Sequence, residues 1–353
     1  MGDNDLKKIN YFVGVDTSKD ELDFAVLKDN VFLIHKECRN EPKEIAALVD
    51  ELKTFKGFTT GKTLFCIEDT GMYCNPLLSH LKKTKAKIVL ELPIRIKRSL
   101  GLVRGKNDRI DAIRIAQYAS RYKDNLRLLS EKRPVVEMLR ELLSLRSRIQ
   151  SLNDGIKKRL SERARFDKKY INQKSSKLCG RTLAAMKEDL EEIEHEIDSL
   201  VENDPNISRL LAIVSSVPNV GRITALHIIV YSNEFKNIRT AKKFACFAGI
   251  APFKIESGKN EGKAKISRIA NRKMKSLLHL CAVSALRHPN EFSHYAERKI
   301  AEGKHKMKVL NAVRNKIILR VYTCVKEDRV YVKYENKELA ASVLGTVNGK
   351  TTK

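Results

Sequence analysis

The chain has 353 residues, 42% of them hydrophobic, and carries 69 Lys and Arg against 43 Asp and Glu, a formal net charge of +26. At about 100–200 residues per domain that is room for two or three packed domains, and the hydrophobic share excludes global disorder. So large and dispersed an excess of cations points to a polyanionic partner, of which nucleic acid is the general case because neutralised phosphates release counterions.

The opening residues, MGDNDLKKIN, lack the apolar region of a secretory signal. They begin Met-Gly, but Leu6 stands where an acylation signal wants Ser or Thr. Residues 11–38 read as three strands, YFVGVDTS, ELDFAVLK and VFLIHKEC, the last two joined by a Lys28-Asp29-Asn30 turn. EPKEIAALVDELKTF has helical spacing at Ile45, Leu48, Leu52 and Phe55. TLFCIEDTG is a short apolar strand ending in acids, MYCNPLLSHLKK a helix, and AKIVLELP a strand stopped by Pro93. NDRIDAIRIAQYASRY is a helix with Asn107 placed to cap it. Three consecutive strands predict an antiparallel meander, which the later strands join in parallel through right-handed crossovers. This is the element order of the ribonuclease-H-like fold.

The middle of the chain changes character. Val135, Met138, Leu142, Leu145, Ile149, Leu152 and Ile156 alternate spacings of three and four, and the alternation returns at Leu183, Met186, Leu190, Ile193, Ile197 and Leu200. Such heptad seams predict two long helices in a coiled coil, with each other or with a partner chain. Asn203-Asp204-Pro205-Asn206 ends the second helix. From Ile207 to about Asn336 the chain reads as mostly helical and strongly basic, with 17 Lys and Arg against 5 Glu between Lys254 and Arg320. The domains expected are therefore 1–125, α/β; 126–206, coiled-coil helices; 207–336, helical; and a tail, 337–353. No apolar run reaches the ~20 residues of a membrane-spanning helix. Seven scattered cysteines, never in a C-x-x-C pair, argue against a disulfide framework and a zinc site, and for a reducing cytoplasm.

Three constellations carry chemistry. Asp16 closes the first strand and Glu68 the strand expected beside it, while Asp108 and Asp111 share one helix face. Each alone is an ordinary surface acid. Together in that fold order they would repel one another unless a cation lay among them, and hard oxygen ligands favour Mg²⁺ or Mn²⁺. Asp69, Asp20 and Asp23 are the substitutes should one of the four lie elsewhere. The second constellation, SSVPNVGRITALHII, reads as a helix-hairpin-helix whose second helix opens at Thr224-Ala225, its turn aiming backbone N–H groups at a phosphate near Asn219 and Gly221. Asn219 stands where Gly is usual and tolerates the left-handed conformation. An ordinary helix connection is the alternative. The third is a Gly- and Lys-rich loop carrying Ser257, flanked by Lys254, Lys259, Lys263 and Lys265, and followed by a basic helix from about Ser267 with Arg268, Arg272 and Lys273. A serine alone is a poor nucleophile, so from these residues Ser257 is a loop serine and Ser267 a helix cap.

GVDTSKDELDFAV, CIEDTGMY, RGKNDRIDAIRIAQY, VPNVGRITA and FAGIAPFKIESG with KISRIANRKMKSLL together resemble one family, the DEDD transposases of the insertion-sequence-110 type with the related Piv-like DNA invertases. Their order covers the chain from residue 11 to about 325. The resemblance implies a RuvC-like domain whose Mg²⁺-binding quartet is Asp16, Glu68, Asp108 and Asp111. It also implies a transposase domain whose serine, here Ser257, attacks DNA and holds it as a phosphoserine. It implies a DNA recombinase of the bacterial or archaeal cytoplasm, associated with the nucleoid, and a structured non-coding RNA that guides it. The coiled coil suits a homo-oligomer, a dimer or tetramer. The chief departure is Asn219 for Gly. Two other readings remain: a hydrolytic RuvC-like nuclease resolving DNA junctions through metal-activated water, and a non-catalytic nucleic-acid clamp, to which the acidic quartet is foreign.

Overall fold

The computed structural model describes residues 9–99, 101, 107–166, 168–257, 260–267 and 269–332, with the backbone alone between 254 and 265. The chain divides into two compact units that meet in sequence between Glu131 and Lys132.

The first unit is α/β. Strands β1 (Tyr11–Thr17), β2 (Glu21–Lys28) and β3 (Val31–Arg39) form the expected antiparallel meander. Asp29 and Asn30 both take positive φ between β2 and β3, the backbone a two-residue hairpin turn demands. After α1 (Pro42–Leu52), strand β4 (Thr63–Glu68) runs parallel to β1; after α2 (Asn75–Lys83), β5 (Lys87–Glu91) runs parallel to β4. The sheet order is β3-β2-β1-β4-β5. Side chains of a strand alternate between faces. Val13, Val15, Phe24, Phe65 and Ile67 accordingly pack with Ile45, Val49 and Leu52 of α1 and Leu77 and Leu81 of α2. The opposite face, with Phe12, Ala25, Leu64, Cys66 and Val89, is covered by α4 (Asp108–Arg121) through Ala112, Ile115, Ala116 and Ala119. Pro93 does more than stop β5: it opens a short helix, α3 (Pro93–Ser99), that sequence reading missed, since proline suits a first helical position.

The second unit is mostly helical. Two long helices, α5 (Pro134–Phe166) and α6 (Lys169–Glu202), lie antiparallel and are followed by α7 (Pro205–Ser215), α8 (Arg222–Ser232) and α9 (Ala241–Phe247). A two-stranded hairpin, β6 (Pro252–Ser257) and β7 (Asn260–Ile266), precedes α10 (Arg272–Ala285), α11 (Glu291–Ala301) and α12 (Lys306–Lys326). One core runs from Val136 on α5 through Ile197 on α6 to Val321 on α12. The stripe expected on α6 is the buried one, at Ile193 and Ile197. On α5 the buried stripe lies one residue further on, at Val136, Leu139, Leu143 and Asn153, whereas Met138, Leu145 and Leu152 are 52%, 44% and 59% exposed. Polar residues make the difference: Arg146 stands in this stripe and holds Glu194 of α6 at 2.5 Å, which a count of apolar residues does not see. No described helix is long and apolar enough to cross a membrane, and residues 337–353 lie outside the described residues.

Candidate active site

The site grows from one close approach. Gly14 and Asp16 share the face of β1 that α4 covers, and a Cβ at Gly14 would collide with the backbone of Ala112 and Ala116. Glycine therefore lets α4 lie directly on the strand, which brings the helix's first turn beside Asp16. Asn107 starts that turn by accepting a hydrogen bond from the Arg109 N–H at 2.9 Å, the expected cap. The result is that carboxylate oxygens of Asp16, Asp108 and Asp111 lie within 4.8 Å of one another. Burial, then Asp111 and Asp108, push the Asp16 carboxyl up to about 6, the response of a desolvated acid crowded by like charges. Arg114 reaches Asp111 at 2.7 Å and offsets part of the negative charge. Three hard oxygen donors with no soft ligand among them suit a divalent Mg²⁺-type ion.

Glu68, the fourth acid expected, is not among the converging carboxylates. Strand register sets Val15 beside Ile67, so Glu68 follows at the level of Asp16, with Glu91 opposite it on β5. The ends of β1 and β4 are tied: the Thr17 hydroxyl lies 2.5 Å from that of Thr70, and the Cys74 thiol donates to the Glu68 carbonyl at 3.2 Å. Asp23, across from Asp16 on β2, is held by His35 at 2.7 Å. Asp69 bonds the Gly71 N–H in its own turn. Sequence reading missed Gly14, whose signal is a glycine inside an apolar strand run. It also missed Glu91, a buried acid accepting from the Tyr118 hydroxyl at 2.9 Å.

Ser257 is the last residue of β6, paired with Asn260, so it ends a strand at a hairpin tip rather than lying in an open loop. Lys254 belongs to β6, and Lys263 and Lys265 to β7; Lys259 and Arg268 fall outside the described residues. The basic helix starts at Arg272, not near Ser267, because Asn271 caps it by accepting from the Met274 N–H. Arg272 and Lys273 are exposed in its first turn. Asn219 adopts φ +64° between α7 and α8, and its side-chain oxygen accepts from the Ser284 hydroxyl of α10 at 3.1 Å. Gly221 stands directly before α8, which opens at Arg222 rather than at Thr224.

Both units match known families. A model described as "Transposase", of the DEDD class named for IS110, matches residues 13–162; the "Transposase IS116/IS110/IS902 family" matches residues 211–297. The pilin gene-inverting protein of Moraxella bovis is 24% identical over 330 residues, 91% of this chain and 98% of that protein. An uncharacterized 43.6 kDa protein of the insertion element IS110 from Streptomyces coelicolor is 29% identical over 137 residues, 38% of this chain and 33% of its own length. Among solved structures, Thermus thermophilus RuvC in complex with a Holliday junction is similar at 13% identity and a TM-score of 0.27, covering 34% of this chain and 99% of that one.

Proposed function

The chain belongs to the IS116/IS110/IS902 transposase family and is a DNA transposase or recombinase, and we propose that it cuts and rejoins DNA through a phosphoserine at Ser257, assisted by divalent metal at its acidic site. The observation that carries this reading is the convergence of Asp16, Asp108 and Asp111 where α4 crosses Gly14. These three, with Glu68 from the end of the neighbouring strand, would hold Mg²⁺. Metal in such a site supplies a more acidic attacking hydroxyl and a stabilised leaving oxygen.

In the proposed step the Ser257 oxygen forms a bond to a DNA phosphorus while the bond from that phosphorus to a deoxyribose oxygen breaks. The serine proton leaves for solvent or a carboxylate, and the displaced oxygen takes one up. A deoxyribose hydroxyl then attacks the phosphoserine and releases Ser257, so the phosphodiester is conserved and ATP is not consumed. Holding DNA falls to the basic second unit: the turn at Asn219 and Gly221 would grip backbone phosphates as a helix-hairpin-helix, and Lys254, Lys259, Lys263, Lys265, Arg268, Arg272 and Lys273 would line the strand near Ser257. Phosphate contacts of this kind position DNA without reading sequence. A structured non-coding RNA from the element would then choose target and donor, which the net charge of +26 accommodates. The α5–α6 pair would act as a coiled coil that joins copies into a dimer or tetramer, and the exposed Met138, Leu145 and Leu152 support that use.

The test is to trap the intermediate. Protein, Mg²⁺, labelled element-end DNA and RNA transcribed from the element's flank are mixed, denatured in detergent and examined for label on the protein. A labelled band mapping to Ser257, lost in Ser257→Ala and in Asp16→Ala, is expected. Cut DNA without labelled protein would instead establish a hydrolytic nuclease.

A further inference from the structure

The second unit contains a cleft of about 770 Å³ between α5, α8 and the start of α10. Its lining is one-sided in charge: Arg140 and Arg148 from α5 and Lys273 from α10, with no Asp or Glu among the lining residues. Ser144, Ser147 and Ser151 add three hydroxyls, placed on one face of α5 by their spacing. Asn271 and Lys273 bring the first turn of α10 to the wall, and the first N–H groups of a helix have no partner within it.

A second observation points to a ligand. His227 also lines the cleft and is 4% exposed, yet its Nε2 has no hydrogen-bond partner among the described residues. A buried polar atom left unmatched is destabilising, and is an exception that calls for a partner. Burial first, then Lys273 and Arg146, push the imidazole down to about 4, so at neutral pH it is an uncharged hydrogen-bonding ring. It stacks on Tyr231 with centroids 5.4 Å apart and planes 20° from parallel.

From this lining we propose that the cleft binds a phosphate of a single nucleic-acid strand, with Arg140, Arg148, Lys273 and the α5 serines on the phosphate and His227 on the nucleotide that carries it. Hydroxyls, cations and helix N–H groups are the donors phosphate takes. The volume lies within the range that encloses a small ligand, which suits one nucleotide of a flexible strand and not the width of a duplex. The proposal rests on the reading of the chain as a DNA recombinase and adds a holding site within residues 132–353.

The full chain is titrated with a labelled single-stranded oligonucleotide in EDTA, where metal-dependent cutting is silent, at several salt concentrations. Arg148 and Lys273 are exposed, so Arg148→Gln and Lys273→Gln should fold, and thermal unfolding verifies it. Each is expected to lower affinity about fivefold to tenfold and to flatten the salt slope by about 0.7, the value for one phosphate contact on a single strand. His227→Phe keeps the stack and removes the ring nitrogens; about a threefold to tenfold loss is expected without a change of slope. Wild-type affinity and slope retained in all three folded variants would overturn the proposal. Inorganic phosphate or a mononucleotide competing as well, mole for mole, as the oligonucleotide would overturn it too, making the cleft a small-anion site. The Ser257 adduct is scored separately in the trapping assay, so failure of the recombinase reading and failure of the cleft register in different experiments.

Discussion

The two units hold opposite kinds of crowding. In the first, three carboxylates converge with one guanidinium, Arg114, on their edge. In the second, three cations and three serine hydroxyls line a cleft without a carboxylate. Other cations of the second unit are matched: Arg133 is shared between Asp204 at 2.6 Å and Glu234 at 2.5 Å, and Arg222 between Glu194 and Asp198. Clusters of one sign beside such matched pairs are candidates for ligands of opposite sign. Metal suits the first and phosphate the second. The contrast makes separable predictions.

The largest effect is on chemistry. Asp16→Asn and Asp108→Asn should lower strand cleavage by at least about 10²–10³-fold, the scale for losing one charge-stabilising group. Both should leave metal-free oligonucleotide binding unchanged. The cleft variants outside the proposed Ser257 strand path, Arg148→Gln and His227→Phe, should behave in reverse, binding more weakly but cutting normally at saturating DNA. Gel-resolved cleavage and equilibrium binding on the same preparations decide it, and any acidic-site variant that loses metal-free binding would merge the two sites into one.

Next comes the scaffold. Gly14→Val sets a branched side chain against the backbone of Ala112 and Ala116. Because backbone cannot yield as a flexible side chain can, the cost should reach the upper end of overpacking, about 3 kcal/mol. If α4 is displaced, the acids part and the rise of melting temperature with Mg²⁺ expected of wild type should disappear. Calorimetry with and without Mg²⁺ measures both effects; a variant that still responds to Mg²⁺ would show that the close approach does not assemble the site.

Of the two clusters, sequence made only the acidic one legible, and the reason is geometric. Strand ends and a helix cap are local signals: Asp16 and Glu68 at strand termini and Asn107 before α4 place carboxylates through regular backbone alone. What assembles them, the contact of Gly14 with α4, is tertiary and leaves one glycine in an apolar run as its trace. The cleft has no such grammar. Its serines do repeat along one face of α5, but reading them required knowing that α8 and α10 face that stripe. The displaced seam on α5 has the same origin, since Arg146 enters it through Glu194, 48 residues away. Ser257 reads as a loop residue because Lys and Gly are poor strand formers, although cross-strand pairing makes the segment a hairpin.

A smaller effect comes from the acid that carries the crowding. Asp16 is raised from its ordinary 3.8 to about 6, so the folded metal-free protein holds that proton more tightly than the unfolded chain. The raised value therefore costs stability as pH climbs from about 4 to about 6, and the cost is complete above that. Asp16→Asn should melt higher than wild type without metal at pH 8, by about 2–4 °C once screening by solvent is discounted. The gap should close near pH 4, and Mg²⁺ at pH 8 should raise wild type alone. A gap independent of pH would mean that the crowding is not electrostatic.

The smallest effect tests whether the α7–α8 turn belongs with the under-compensated clusters or with the matched ones. Asn219 does two jobs there: it adopts φ +64°, and it accepts from Ser284 on α10 at 3.1 Å. Asn219→Gly relieves the left-handed conformation and loses the hydrogen bond, terms of about 1 kcal/mol each and opposite sign. Stability should therefore move by no more than about 0.5 kcal/mol. Asn219→Ala loses both and should cost about 1–2 kcal/mol. If the turn serves only to join helices, duplex affinity will follow neither substitution. If it grips phosphate through backbone N–H groups, Asn219→Gly should keep affinity and Asn219→Ala should lower it, because the grip depends on the turn's conformation rather than on a side chain already committed to Ser284.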